Sequence, residues 1–150
     1  MRKYYKPGLG NKKYRNLDKW FSAYIRLRDT NEHGQGRCIT CQKMKPFEDL
    51  DCGHWQTRNN ISTRFDPHNA NAQCRNCNSF KGGESLMHGV QIGLKFSEMA
   101  RDMVEVKSHS MMKLLPFEIA ELSKEYRIKA RALYAVKSDW FKSEYQNLVK

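Results

Sequence analysis

Two Cys-x-x-Cys pairs, Cys38/Cys41 and Cys74/Cys77, are the strongest chemical signal in the sequence. Each pair forms a short chelate loop, and two such loops supply the four thiolates of a closed tetrahedral zinc site. Because such a site leaves no ligand position open for water, we expect the zinc to be structural. The alternative is two unrelated pairs, one of them redox-active, and it is disfavoured because no βαβ pattern surrounds either pair.

Asp51 and His54 lie between the cysteine pairs, on the best strand candidate of the sequence, residues 50–55. A neutral imidazole can accept a proton from water near neutral pH, and a carboxylate is a hard oxygen ligand that suits Mg²⁺ or Mn²⁺. Strand alternation places Cys52 on the side of His54 and Asp51 on the opposite side, so we expect a bulge or bend at Gly53 to bring Asp51 and His54 together. Cys52 itself is predicted to be a small buried filler rather than a fifth metal ligand.

Two asparagines complete this candidate constellation. Asn69 lies five residues before the second cysteine pair, and its amide could pin the loop that carries His54. Asn78 directly follows Cys77, so a bound zinc would fix its position, and its side-chain oxygen could complete the shell of an ion held by Asp51. Taken singly, the two residues would be an ordinary turn asparagine and a helix-capping asparagine.

Composition favours a single basic domain with a polyanionic partner. The chain has 150 residues, 39% of them hydrophobic, with 27 Lys+Arg against 16 Asp+Glu and a net charge of +11. Nucleic acid or an acidic membrane surface would account for this charge. No apolar run has the length of a membrane span, and the basic N-terminus is not followed by an apolar signal segment. We therefore expect a cytoplasmic protein with reduced cysteines and no membrane partner.

Four segments follow from the pattern along the chain. Residues 1–14 read as an extended basic arm in which Tyr4, Tyr5 and Tyr14 interleave with Lys and Arg, an arrangement that suits DNA contact. Residues 15–36 predict a helix, capped by Asn16, and a turn. Residues 37–83 form the third segment, which predicts short strands and turns over residues 37–65 and a turn at residues 66–69. A short helix is expected to begin within the second cysteine pair and to end at the glycines 82 and 83. Residues 84–150 predict helices, one of which begins at Pro116.

The helix after Pro116 carries an apolar stripe at three- and four-residue spacing, formed by Ile119, Leu122, Tyr126, Ala130 and Leu133. Such a stripe is typical of a helix packed on a core, and it also suits the seam of a helix–helix dimer. The sequence leaves both interpretations open.

The pattern CxxC…DxxH…N-x4-CxxC-N resembles the HNH, or ββα-metal, nucleases. The closer resemblance is to the NinG/Rap family of phage recombination endonucleases, which are associated with branched DNA. It spans about residues 17–83 and rests on the segments Trp20–Asp29, Cys38–Cys41, Asp51–Trp55, Arg64–Asp66 and Asn69–Asn78. The Asp-x-x-His spacing and the final asparagine are also similar to phage endonuclease VII, a Holliday-junction resolvase with a four-cysteine zinc site.

The resemblance implies an α+β fold: a zinc-stabilised ββα-metal core over residues 37–83, flanked by an N-terminal helix and a C-terminal helical region for DNA binding and dimerisation. It further implies that Asp51 and Asn78 hold one Mg²⁺ or Mn²⁺, that His54 is the general base and that Asn69 orients its loop. The expected reaction is hydrolysis of a phosphodiester in branched DNA, leaving a 5′ phosphate. The chain departs from the common HNH pattern in having Gly53 before His54 and Asn78 in place of a final histidine.

Basic residues near the motif are candidate phosphate contacts, because guanidinium and ammonium groups bind phosphate oxygens. They are Arg58, Arg64, Arg75 and Lys81 around the motif, and Lys12, Lys13 and Arg15 in or beside the arm. Each could equally be a solvated surface charge. Paired cuts in a junction would require a twofold homodimer, with its seam in residues 116–134 or the aromatic-rich end. The alternatives are an HNH nuclease of relaxed specificity on duplex DNA and a non-catalytic zinc module that only binds DNA.

Overall fold

The described part of the folded chain is of the mixed α+β class, with one long helix before its short strands and four helices after them. The computed structural model describes residues 12–150. Its elements are α1 (Arg15–Arg28), β1 (Gln35–Arg37), β2 (Met44–Pro46), β3 (Leu50–His54), α2 (Ile61–Arg64), β4 (Ala70–Cys74), α3 (Ser85–Lys95), α4 (Glu98–Ser108), α5 (Pro116–Ala135) and α6 (Asp139–Glu144). Within these residues, no helix has both the length and the apolar character needed to cross a membrane.

The four strands form two antiparallel hairpins. β1 pairs with β2 around the first cysteine pair, and β3 pairs with β4 in a regular register from Leu50↔Cys74 to His54↔Ala70. Each residue of β3 opposes one residue of β4, so the predicted bulge or bend at Gly53 is wrong. Gly53 is needed for a different reason: a Cβ atom there would lie 2.7 Å from the Cβ atom of Gln73, which is fixed to the backbone of β4.

Helix α1 packs between the β3–β4 hairpin and α5, and its buried face forms the centre of the larger core. The predicted first helix is confirmed, although it begins after Tyr14 and Asn16 does not cap it. On α5, Ile119, Tyr126 and Ala130 are buried against α1, with the Phe21 and Tyr126 rings 4.9 Å apart. The stripe on α5 is therefore core, and the interpretation of this stripe as a dimer seam is wrong.

The basic arm is described only at its end. Its residues 1–11, with Tyr4 and Tyr5, lie outside the described residues. Lys12–Tyr14 form one turn of 3₁₀-helix, and Tyr14 is buried with its ring 5.8 Å from that of Phe65. Tyr14 is thus a core residue, which corrects its assignment to an extended DNA-contacting arm.

Candidate functional site

The four paired cysteines converge on one point. Their Sγ atoms all lie within 4.8 Å of one another, and those of Cys41 and Cys74 are 3.9 Å apart. A tetrahedron with Zn–S bonds of about 2.3 Å has sulfur atoms roughly 3.8 Å apart, so the spacing fits zinc. The backbone N–H of Cys74 also donates to Sγ of Cys38 at 3.3 Å, which stabilises a thiolate. The predicted four-cysteine metal site is confirmed in its geometry and is consistent with zinc.

Local backbone geometry builds each half of this cluster. The first pair occupies the turn between β1 and β2, where Gln42 adopts a left-handed conformation and its N–H donates to the Cys38 carbonyl. The second pair spans the end of β4 and a π-helical turn, Asn76–Phe80. The N–H of Ile39 donates to the carbonyl of Ala72 at 2.9 Å. The first turn therefore docks on the outer edge of β4, and a metal would tie the two hairpins together.

Asp51 and Asn78 are brought together on one side of the β3–β4 hairpin. Nδ2 of Asn78 donates to Oδ2 of Asp51 at 3.2 Å, and both side chains are half-buried. Asn78 lies in the π-helical turn, an irregularity that often marks functional sites. A 180° rotation of its amide would direct the Asn78 oxygen toward the same space as the carboxylate. Two hard oxygen donors then face one position, a set that suits Mg²⁺ or Mn²⁺.

His54 is held by a backbone carbonyl at the other end of β3. Its Nε2 is 2.9 Å from the carbonyl oxygen of Arg64, and its ring lies 6.0 Å from that of Phe21. Because a carbonyl can only accept, Nε2 carries the proton and Nδ1 carries the lone pair. Within residues 12–150, Nδ1 has no hydrogen-bond partner. The structure thus presents the tautomer that a general base needs.

The electrostatic surroundings keep His54 neutral. Burial lowers its pKa to about 4, and the positive charges of Arg58 and Arg64 act in the same direction, while the hydrogen bond to the Arg64 carbonyl opposes them. A neutral imidazole at neutral pH can accept a proton.

The regular β3 ladder separates the candidate base from the candidate ion ligands. Asp51 points to the side of the π-helical turn, whereas His54 and the half-buried Cys52 point to the side of α1. His54 makes no hydrogen bond to Asp51 or Asn78. The structure therefore brings Asp51 and Asn78 together but places His54 apart from both.

Asn69 binds both ends of the segment that follows His54. Its Oδ1 accepts from the N–H of Gln56 at 2.7 Å, and its Nδ2 donates to the carbonyls of Gln56 and Thr63 at 3.1 and 2.9 Å. Thr63 directly precedes Arg64, the residue whose carbonyl binds His54. The fully buried Asn69 side chain thus fixes the loop that orients His54.

Comparison with known proteins places this chain in a family. The family model described as "Bacteriophage Lambda NinG protein" matches residues 8–135, which is most of the chain. The chain belongs to the NinG family. No curated protein and no solved structure matches it significantly. The family match covers the two cysteine pairs, Asp51, His54 and both asparagines of this NinG-family chain.

Arg64 does not offer its guanidinium to a phosphate. The side chain is buried and makes a two-pronged ion pair with Asp18 of α1, with N···O distances of 2.9 and 2.6 Å, and a further bond to the Arg58 carbonyl at 2.8 Å. This corrects its assignment as a DNA contact. In this NinG-family protein, the Arg64 side chain is instead held by Asp18 of α1, and the backbone carbonyl of the same residue binds His54.

The other basic candidates remain at the surface. Arg75 is exposed with one bond to the Glu48 carbonyl, and the exposed Lys81 pairs with Glu84 at 2.9 Å. Arg58 is half-buried near His54. Lys12, Lys13 and Arg15 are exposed around the start of α1. Their contact with DNA stays a prediction.

Cys52 is separate from the metal cluster. It packs against the larger core, whereas the other four cysteines form the metal site. Burial raises the pKa of its thiol to about 12, so it stays protonated at neutral pH. This is the chemistry of a filler rather than of a ligand.

The structure adds His88, which the sequence pattern did not single out. It is fully buried on α3, beside Gly89, which lies against the Trp55 ring. Neither ring nitrogen has a hydrogen-bond partner within the described residues. Burial lowers its pKa to about 4, with further lowering by nearby His54 and Lys95. The only sequence signal for His88 is its place beside Gly89 and four residues before the buried Ile92.

A second unanticipated group fixes the outer edge of β4. The Asp29 carboxylate accepts from Arg28 at 2.7 Å, from Lys95 at 2.7 Å and from the N–H of Ala72 at 2.8 Å. Burial alone would raise the pKa of Asp29, but Arg28 and Lys95 outweigh it and the pKa is lowered. The charged carboxylate therefore joins α1, β4 and α3, the elements that carry the candidate site.

Proposed function

We propose that this NinG-family protein is a metal-dependent endonuclease of the HNH, or ββα-metal, type, similar to endonuclease VII, that cleaves branched DNA such as Holliday junctions. The observation that carries the proposal is the Asp51–Asn78 contact. A carboxylate on the first strand of a hairpin meets an amide that directly follows the last cysteine of the metal cluster. Such a pair would form an ion site with oxygen ligands next to the four-cysteine site.

Each group has a defined task in hydrolysis. Asp51 and Asn78 would hold Mg²⁺ or Mn²⁺, which stabilises negative charge on the phosphorus centre and the leaving 3′ oxygen when bound. His54 accepts a proton at Nδ1 from the attacking water, and its bond to Arg64 keeps the imidazole oriented. Asn69 holds the loop. The product carries a 5′ phosphate.

The free edge of β3 is where one phosphodiester could meet both groups. Among the described strands, β3 pairs only with β4. Asp51 and His54 are three residues apart on this edge strand, and both side chains are half-buried. A backbone phosphate that crosses this margin would lie between the ion ligands and the base.

Net charge favours DNA as the substrate, and coordinated cuts in branched DNA would call for a dimer. The net charge of +11 and the exposed cations Arg75, Lys12 and Arg15 suit a polyanion with several phosphate groups. Two coordinated cuts require two active sites related by a twofold axis, so the functional unit is a homodimer on DNA.

Nicking of an end-labelled four-way junction with Mg²⁺ or Mn²⁺ tests the proposal. His54→Ala should reduce the single-turnover rate by about 10²–10⁴-fold, because a general base contributes this much. Asp51→Ala should abolish activity at low metal concentration. The matched control is His33→Ala, since His33 is an exposed histidine far from the cluster. Equal cleavage by wild type and His54→Ala would remove His54 as the base.

The regular β3 ladder favours one second candidate, a zinc module that binds DNA without cutting it, because it leaves Asp51 and His54 on opposite sides. Wild-type protein that binds DNA but nicks no substrate with either ion supports this candidate. Cleavage of linear duplex and junction at equal rates, at one stated salt concentration, indicates instead a nuclease of relaxed specificity.

A further inference from the structure

The α3–α4 segment carries large apolar side chains that face solvent. On α3 they recur every fourth residue, and on α4 at four- and three-residue spacing, so each set forms a stripe along its helix. The six side chains are 44–85% exposed: Leu86, Val90, Leu94, Met99, Met103 and Val106. The opposite sides of the same helices are buried through His88, Ile92 and Val104. Both helices are thus apolar on two sides, which is typical of helices covered on both.

The two stripes belong to one helical hairpin. α3 ends at Lys95, and α4 begins at Glu98 after a cap in which Ser97 Oγ accepts from the N–H of Ala100 at 3.0 Å. The helices pack against each other. Monomeric proteins rarely expose contiguous apolar patches larger than a few hundred Å². Six large exposed apolar side chains on one helical hairpin therefore point to an interaction surface on this segment.

Charge selects the kind of partner. Residues 84–108 contain three Lys/Arg and four Asp/Glu, a net charge of −1, in a chain whose net charge is +11. A slightly acidic, apolar surface does not attract DNA or an anionic membrane. Among the described parts of this basic protein, it is also a surface on which a second, equally basic copy meets little positive charge.

We propose that two copies of this chain associate through their α3–α4 hairpins, which pack as a four-helix arrangement about a twofold axis. The interface itself is argued from the exposed side chains. Its role rests on the proposed function, because paired cuts in a junction need two active sites. The hairpin begins seven residues after Asn78 in the chain. The interface would therefore set the separation of the two Asp51–Asn78 centres directly, with no intervening domain.

Sedimentation equilibrium of the full zinc-loaded chain tests the interface. Wild type is expected to be dimeric at micromolar concentration, and Leu94→Glu and Met103→Glu each to raise the dissociation constant about thirtyfold or more, as for a residue at an interface centre. The matched control is Ile128→Glu on α5, because Ile128 is 59% exposed on another surface; it should stay dimeric. Zinc content and circular dichroism establish that each variant is folded. A monomeric wild type, or a Leu94→Glu/Met103→Glu double variant that stays dimeric, overturns the proposal.

Nicking assays on the same samples separate this proposal from the nuclease proposal. Folded monomeric variants that still nick DNA but no longer make paired cuts in a junction support the interface. Wild-type protein that is monomeric on and off DNA but nicks it overturns the interface and leaves the nuclease proposal standing. Wild-type protein that is dimeric through this hairpin but inert with Mg²⁺ and Mn²⁺ supports the interface while the nuclease proposal fails.

Discussion

The two candidate metal centres are built from the same stretch of chain, but they differ in how far their groups converge. All four thiolates of the cysteine cluster lie within 4.8 Å of one another. At the second centre, Asp51 meets Asn78, whereas His54 lies on the other side of β3. A four-cysteine metal site takes all of its ligands from the protein, so folding of the chain is enough to bring them together. An open site serves a substrate, so its parts need to converge only around a bound phosphate.

The largest expected effect comes from breaking the closed site. Cys74→Ser, or treatment with a strong chelator, should unfold the two hairpins, because zinc binding of about 10–16 kcal/mol is comparable to the roughly 5–15 kcal/mol that stabilises a whole domain. Near-ultraviolet circular dichroism and zinc stoichiometry would show this. Asp51 and Asn78 should lose their contact in the same step.

Cys52→Ala is the matched control for this experiment. It removes a cysteine from the core and leaves the metal cluster intact, so the variant should keep its zinc and its native spectrum. If metal-free Cys74→Ser keeps the native spectrum and melting temperature, the cluster does not hold the fold together, and the two centres are independent.

The contrast also explains what the sequence could predict. Cys-x-x-Cys spacing encodes half of a zinc site within four residues, and apolar periodicity predicted α1 and α5. Of the β3–β4 ladder, the sequence predicted the strand over residues 50–55 but not its partner strand β4. The bulge at Gly53 was inferred from chemistry, yet the side chain of Gln73, twenty residues later, is what requires a glycine there. The catalytic roles of Asp51, Asn78 and His54 stay predictions.

Long-range partners are the part that sequence spacing could not reveal. Arg64 resembles any basic residue near a nucleic-acid motif until Asp18, 46 positions away, is placed beside it. The same holds for Tyr14, which is buried against Phe65, and for Asp29, which binds Lys95 of α3. A charge or an aromatic ring in the sequence does not say whether its partner is solvent, DNA or another segment of the chain.

The second largest effect distinguishes a buried arginine from an exposed one. Arg64→Ala leaves the Asp18 carboxylate buried without its partner, so we expect the free energy of unfolding to fall by about 3–5 kcal/mol. Activity should also fall, because the loop that orients His54 loosens. Urea denaturation measures the first effect and junction nicking measures the second.

Arg75→Ala provides the comparison, because Arg75 is exposed. Its free energy of unfolding should change by no more than about 0.5 kcal/mol, while DNA affinity falls and the slope of log affinity against log salt decreases by about 1. The reverse result, with Arg64→Ala stable but weaker in DNA binding, would restore Arg64 as a phosphate contact.

The smallest expected effect, when counted per pH unit and per residue, is the pH dependence that each of the two buried histidines imposes on stability. The pKa values of His54 and His88 are each lowered to about 4, below the ordinary value of about 6.5 that they regain on unfolding. The unfolded chain therefore binds more protons between these values. Stability is present above about pH 6.5 and is lost as the pH falls toward 4, by up to about 1.4 kcal/mol per pH unit for each group.

His88→Leu separates this contribution from the titration of the zinc ligands, which the wild type and the variant share. His88 is fully buried, so the variant should lose about one proton's worth of slope between pH 6.5 and 4, whatever its absolute stability. Ile92→Val, a change at another fully buried position of α3 that removes no titratable group, should leave the slope unchanged. If His88→Leu follows the wild-type slope, His88 is charged in the folded protein and must have an acceptor near α3. The lowered pKa of His54, on which its assignment as a neutral base depends, would then need the same test.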